Sequence, residues 1–346
     1  MLKGLSSVLL PSDDTSWVLN FVDGYRELGF EVITGTLNFT IEASNPDLIH
    51  LNWPEELTGW KCPSERELEE LEARLARWAR RARIIVSVDN LYPHVSGDRE
   101  VWRRLYLSVY SAADVIHHFS HTSCDIVRRE FPEIAGRKHV VRTGFNYERL
   151  LCYKKKDRDA ARAEYGFSTN DFVLLSFGSL RYWSEVDLLR RSFSNARASR
   201  KKLLMASKYG GEDSIWRQRQ RRLLLKLWRC RGDIISIRRY VEDAEVPSLF
   251  AAADALVVVR RDLFGSGLPS LAMTLATPVI APLAGVIPEY LAGTENILYD
   301  PTSFRSLAAA IDKMAGIDRE KLAVENSKRA AQWGWKDTIS TCLAGL

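Results

Sequence analysis

Ala255-Leu256-Val257-Val258-Val259-Arg260-Arg261-Asp262-Leu263-Phe264-Gly265-Ser266-Gly267-Leu268-Pro269-Ser270 reads as a strand that delivers the chain to a glycine turn and then to a helix. The apolar run is long enough for a strand and too short for an ordinary helix. Glycines at a strand-to-helix turn let the backbone pass close to a ligand, and the helix start aims unpaired N–H groups at it. That combination suits a phosphate. Within it, Ser266 adds a hydroxyl, Arg261 adds a positive charge, and Gly265 and Gly267 leave room.

Working outward, Thr277-Pro278-Val279-Ile280 leads into another strand, and Gly285-Val286-Ile287-Pro288-Glu289 forms a second polar turn behind it. Upstream, Phe172–Phe177, Lys202–Met205 and Ile234–Ile237 are further apolar runs of strand length. The first half repeats the theme with strands at Ser6–Leu10, Glu31–Thr34, Asp47–Leu51, Ile84–Val88, Asp114–His118 and His139–Val141. Between them, Trp17, Phe21, Tyr25 and Leu28 recur at helical spacing before Gly29, and a long helix is predicted from Ser64 to Arg83. The stretch from Leu151 to Gly166, rich in Lys and Asp, reads as a hydrophilic linker. Strands alternating with helices predict an α/β chain of two Rossmann-like domains with parallel sheets, facing across a cleft. Residues 1–150 form the first domain and 151–330 the second.

The length of 346 residues suits two domains, and 46% apolar with 27% charged residues is a globular composition. No apolar run approaches the roughly 20 residues needed to span a bilayer. The start, Met1-Leu2-Lys3-Gly4-Leu5, lacks the apolar core of a leader, so a cytoplasmic protein is expected. Five scattered cysteines show no metal or redox spacing and are read as reduced thiols without a catalytic role. His117, His118 and His121 lie close in sequence, but alternate strand residues face opposite sides, so they are read as structural or solvent-facing.

The net charge of +5 is concentrated between Arg190 and Arg239. There the segment Ser214–Arg231 carries Trp216 and Trp228 among its arginines. It reads either as a solvated helix with a core-facing stripe or as a contact with anionic lipid, for which Glu70–Arg83 is a second candidate. A nucleic-acid partner is not expected, because no recognition module or stacking platform accompanies the charge.

The run from Asp243 to Asp254, the glycine turn, the Thr277-Pro278-Val279 strand and the Gly285-to-Glu289 turn resemble the donor-binding half of GT-B glycosyltransferases. The likeness is to the family-4-like branch that builds bacterial exopolysaccharide and lipopolysaccharide. The resemblance implies a nucleotide-sugar donor and a glycan or lipid-linked acceptor. It places a glycine turn and basic residue at Gly178-Ser179-Leu180-Arg181, a phosphate-binding Lys at Lys208, and a terminal helix after Trp333 (residues 331–346) returning to the first domain. Loops at His50–Glu55, Asp89–His94 and Thr143–Tyr147 are similar to the acceptor side of that branch, which makes Asn52, Trp53 and Glu55 acceptor-side candidates. The chain departs from the family at Leu263 and Leu271, where a Glu pair is usual, and at Asp89, where His is usual.

Glycosyl transfer needs the leaving diphosphate stabilised. With no DxD-type pair placed for a metal, Arg181, Lys208, Arg261 and the Gly265–Gly267 amides are expected to do this without a cofactor. Asp89 and His94 are the candidate catalytic residues, as bases in an inverting reaction; in a retaining reaction Asp89 orients the sugar instead. Glu289 is a candidate partner for sugar or ribose hydroxyls, and Tyr240 and Val241 for the base pocket. Two alternatives stand beside this reading: a nucleotide-sugar epimerase of the same fold, and a catalytically silent subunit that binds a partner or membrane.

Overall fold

The structure, a computed structural model, describes residues 4–13, 15–209, 224, 226–228, 232–237, 239–260 and 263–346. It divides into two compact units, Met1–Phe145 with Trp333–Leu346, and Asn146–Gln332. Each is built on its own parallel six-stranded sheet.

In the first unit the strands are β1 (Ser7–Leu10), β2 (Glu31–Thr34), β3 (Leu48–Leu51), β4 (Arg83–Val88), β5 (Val115–His118) and β6 (Lys138–Val141), in the order β2-β1-β3-β4-β5-β6. Every residue of β3 and β5 is buried, as expected for inner strands covered on both faces. The helix Ser16–Glu27 starts where Thr15 accepts the Val18 N–H and turns Phe21 and Tyr25 inward. The helix Trp335–Ala344 packs on it at Gly24, where a Cβ would stand 3.0 Å from the Trp335 carbonyl. Trp17, Phe145 and Trp335 close that joint, with ring centroids 4.6 and 5.2 Å from Trp17.

In the second unit the strands are β7 (Phe172–Leu180), β8 (Lys201–Tyr209), β9 (Ile234–Ser236), β10 (Ala255–Val257), β11 (Val279–Pro282) and β12 (Ile297–Tyr299), in the order β12-β11-β10-β7-β8-β9. Leu174, Leu203, Val257 and Ile280 from four strands meet Leu189, Phe193, Leu307 and Ile311 from the covering helices in one core.

Four local expectations are corrected or narrowed to one of their alternatives. The long helix spans Glu65–Trp78 and stops short of Arg83, because Arg83 must already sit opposite Leu48 at the start of β4. β7 runs on through Gly178, which takes a positive φ of 86° opposite Ser207, so this glycine lies within the strand end. His117 and His118 do face opposite ways but neither meets solvent; both are fully buried. His117 joins a chain of hydrogen bonds through Ser87 and His50 to Tyr25, and burial lowers its pKa to about 3. Trp228 is also core, packed edge-on to Phe193; of the rest of Ser214–Arg231, all but residues 224, 226 and 227 lie outside the described residues. Among the described residues no helix is long and apolar enough to cross a membrane.

The fifth correction concerns Leu151–Gly166. It holds the helix Arg158–Glu164, and Arg162 there is 1% exposed. Its guanidinium pairs with Asp254 at 2.6 Å and donates to the carbonyls of Ala252, Ser168 and Thr169. Asp254 in turn accepts the Val173 N–H and contacts Arg158 and Arg319. A charged sequence is thus drawn inside by one anion that needs cations around it. Arg162→Met should cost about 3–5 kcal/mol in denaturant-induced unfolding, since it strands a buried charge and three carbonyls; a loss below about 1 kcal/mol would show the segment to be the solvated linker its composition suggests.

Candidate active site

Ligands of open parallel sheets bind beyond the carboxyl ends of the strands, where the strand order reverses. In the second unit that point lies between β7 and β10. Arg260 follows β10, is buried, and places its guanidinium 3.2 Å from Glu185 Oε2 while donating to the Ser179 and Val259 carbonyls. The same Glu185 oxygen accepts the Arg181 N–H at 2.7 Å. One buried ion pair therefore ties the ends of the two strands flanking the reversal. Arg181 is half-buried beside it; burial first, then the neighbouring Arg260 charge, lowers its pKa. An arginine stays protonated under such a shift, so with Arg260 offset by Glu185 this sheet end keeps the net positive charge of Arg181.

The glycine turn lies over the same end. Gly267 has φ −74° and ψ −13°, an ordinary helical conformation open to any residue, so left-handed freedom is not what it supplies. Ser266 Oγ turns back to accept the Leu268 N–H at 3.3 Å, leaving its own hydrogen to donate. The demanding glycine is Gly285 in the next turn. It has φ 56°, and a Cβ there would stand 2.3 Å from the Leu263 carbonyl oxygen and 2.5 Å from that of Phe264. Val286 N–H also donates to the Phe264 carbonyl at 3.1 Å. The turn after β11 thus grips the loop after β10.

The remaining second-unit candidates follow from the strand order. Lys208 stands opposite Ser179 in the β7–β8 register and is described only through its backbone. Tyr240 and Val241 follow β9, with Tyr240 exposed, and Glu289 sits half-buried in the short helix Ile287–Leu291 after β11. All belong to carboxyl-end segments. Arg261 lies outside the described residues. Leu271, where the family carries an acid, is buried, and Leu263 is the residue whose carbonyl meets Gly285.

In the first unit the strand order reverses between β1 and β3. Asn52, directly after β3, is 2% exposed, and both its amide oxygen and its amide nitrogen are buried without a protein partner. A buried amide with neither end paired is costly, and sites that leave one so are sites that receive a ligand or ordered water. Trp53 stacks obliquely on Trp60, and Glu55 lies buried in the turn Pro54–Thr58. Burial raises the Glu55 pKa, against the opposing effect of hydrogen bonds from Tyr106 (2.7 Å) and Asn90.

Asp89 follows the neighbouring strand β4. Its Oδ2 is sealed from solvent without a hydrogen bond. Burial is the main cause that raises its pKa well above the carboxylate range; the Trp17 indole opposes this and the Glu55 charge adds to it. Asn52, Glu55 and Asp89 are thereby gathered at adjacent strand ends, a polar and weakly acidic lining suited to hydroxyl groups. His94 lies five residues beyond Asp89 and is exposed.

Sequence reading missed Glu185, Arg260 and the steric role of Gly285. Glu185 carried a signal: an acid early in a helix after a glycine-bearing strand end, placed to accept N–H groups behind it. Arg260 and Arg261 are indistinguishable by composition, and only its burial in the folded chain marks Arg260 out.

Residues 171–316 match the sequence model of the family described as glycosyl transferases group 1. No curated protein matches the chain by sequence. Among solved structures, sucrose-phosphate synthase from Thermosynechococcus elongatus superposes with a TM-score of 0.70 at 16% identity, over 98% of this chain and 97% of that one. HepE from Anabaena, in complex with UDP and glucose, gives 0.66 at 16% identity over 99% and 100%. A glycosyltransferase from Rickettsia africae gives 0.69 at 14% identity over 97% and 96%. Likeness at such identities establishes the fold, and the family match covers less than half of the chain: together they show a glycosyltransferase of the GT-B fold whose residues 171–316 are similar to the group 1 family.

Proposed function

We propose that this enzyme moves a hexosyl group from a nucleotide-diphosphate sugar to a glycan or lipid-linked acceptor in bacterial polysaccharide synthesis. The observation that carries the reading is the fixed positive charge at the order reversal of the second sheet, where Arg260 is locked by Glu185 beside Arg181. The similar HepE structures are in complex with UDP and with UDP-glucose, which supports a donor of that class. In this reading Arg181, Lys208, Arg261 and the Gly265–Gly267 backbone take up the charge that grows on the departing diphosphate, without a metal. Ser266 donates its free hydrogen to a phosphate oxygen, Glu289 accepts from sugar or ribose hydroxyls, and Tyr240 and Val241 border the base.

Asp89 is proposed as the base that takes the acceptor hydroxyl's proton, with Asn52, Trp53 and Glu55 holding the acceptor and His94 on the same loop. A carboxylate with a raised pKa is a better base than an ordinary one. It is available only above that raised pKa, so activity should climb with pH through it.

A peripheral contact with anionic membrane is proposed for the described candidate Glu70–Arg83. Beside it, the helix Thr36–Ile41 stacks Phe39 on Trp78 and turns Leu37 (66% exposed) and Ile41 (57% exposed) outward. Glu42, next to Ile41 in sequence, pairs with Arg77 and Arg81. Exposed apolar residues near arginines suit insertion at a headgroup boundary.

Three measurements test these assignments. Calorimetry should show UDP or GDP affinity reduced at least about tenfold by Ser266→Phe and by Gly285→Ala, which displaces the loop; unchanged affinity in both would remove the donor site from this loop. Asp89→Asn should lower kcat by about 10²–10⁴ and abolish the acid limb of the pH profile while nucleotide binding persists. A fully active variant would leave Asp89 a structural residue. Leu37→Ser with Ile41→Ser should abolish sedimentation with phosphatidylglycerol vesicles, and equal pelleting of the double variant would reject this contact surface.

A further inference from the structure

His118 on β5, Cys124 in the helix His121–Glu130 and His139 on β6 turn their ligand atoms toward one another, all within 4.8 Å. We propose that these three residues form a binding site for one thiophilic divalent cation of the zinc type, with a fourth position left to water. Nothing in the transfer reaction uses this cluster, so the proposal stands or falls separately from the proposed function.

The proton arrangement is what points to a cation. His139 Nε2 meets the Ile134 carbonyl at 3.1 Å and must donate to it, since a carbonyl only accepts. In the neutral imidazole with its hydrogen on Nε2, His139 Nδ1 carries a lone pair. That lone pair lies 2.9 Å from His118 Nε2, with the rings only 18° from parallel planes and their centroids 5.2 Å apart. The two nitrogens therefore confront each other nearly in line across one shared hydrogen.

A cation can take the place of that hydrogen. His118 then carries its proton on Nδ1, where Ser123 Oγ already stands at 3.1 Å to accept it, and His139 keeps its donation to Ile134. Each ligating imidazole would have its other N–H oriented by an oxygen, the arrangement that fixes metal-binding histidines. Cys124 is buried in its helix, and that burial raises its thiol pKa against the weaker opposing effect of Arg128, so the cation must displace the thiol proton to gain a thiolate ligand. One proton, from the thiol, is released per cation bound.

The dimensions require a small adjustment. Tetrahedral Zn–N bonds of about 2.0–2.1 Å set the nitrogens roughly 3.4 Å apart, so the rings must part by about 0.5 Å and the sulfur must move in by about an ångström. His118 and Cys124 are buried, and the half-buried His139 offers the approach from solvent. Imidazole and thiolate ligands select zinc or its cobalt substitute over hard cations such as magnesium.

The test is titration of the full chain with Co(II), followed by displacement with Zn(II). One equivalent of Co(II) should give a thiolate charge-transfer band in the near ultraviolet, bleached by Zn(II). Cys124→Ser should lose the band, and His139→Gln should weaken Zn(II) binding at least about tenfold in calorimetry. His121→Gln, an exposed neighbour, should keep both. Circular dichroism of each variant shows that it is folded, and either ligand variant alone suffices if the other is not. Absence of the band in the folded wild-type protein, or its survival in Cys124→Ser, overturns the site.

Discussion

Arg260 and Glu185 face each other, buried, across the point where the second sheet reverses its strand order, and much else in that unit is arranged around them. The pair does not simply add stability, because removing two charges from water costs several kcal/mol per ion before their attraction returns any of it. Its value lies in what it fixes. Glu185 accepts the Arg181 N–H, Arg260 holds the Ser179 carbonyl, and the segments after β7 and β10 thereby keep one geometry. Arg181 is held beside the immobile Arg260 guanidinium, a placement that suits an anionic ligand. A site that must stabilise a leaving diphosphate gains most from charges that need no rearrangement at the moment of reaction.

The first unit shows the opposite electrostatic character at its corresponding strand ends. Asn52 presents an amide with neither end paired, and Asp89 and Glu55 are carboxyls displaced from their usual range by burial. A second phosphate would be repelled here, whereas sugar hydroxyls, which both donate and accept, would satisfy all three. The contrast between a cationic end on one sheet and a weakly acidic, hydrogen-bond-hungry end on the other follows from which residues terminate β3, β4, β7 and β10. It is the physical basis for the donor and acceptor roles proposed for the two units.

The strands, their parallel pairing and the strand-to-helix glycine turn were legible because apolar runs, turn residues and helical spacing are local properties. What escaped the sequence depended on burial and on distant partners. Leu151–Gly166 has a linker's composition, yet Asp254, some ninety residues away, draws Arg162 inside. Gly265 and Gly267 attracted attention by their spacing, whereas the steric demand falls on Gly285, whose role appears only when Leu263 and Phe264 pass over it. Arg261 was preferred to Arg260 with nothing local to divide them. Asp89 and Asn52 were singled out by their place after strands, but their unpaired buried atoms are properties of the folded chain alone.

The most direct test of the account is donor consumption by the wild-type enzyme and by Arg260→Met, with release of UDP, GDP or dTDP followed for a panel of nucleotide-sugars. The account predicts that at least one donor is turned over and that Arg260→Met, still folded, lowers that turnover by about a hundredfold, because the segments that present Arg181 and the glycine-turn backbone to the leaving diphosphate lose their shared anchor. Turnover of no donor, or full activity in Arg260→Met, would contradict it.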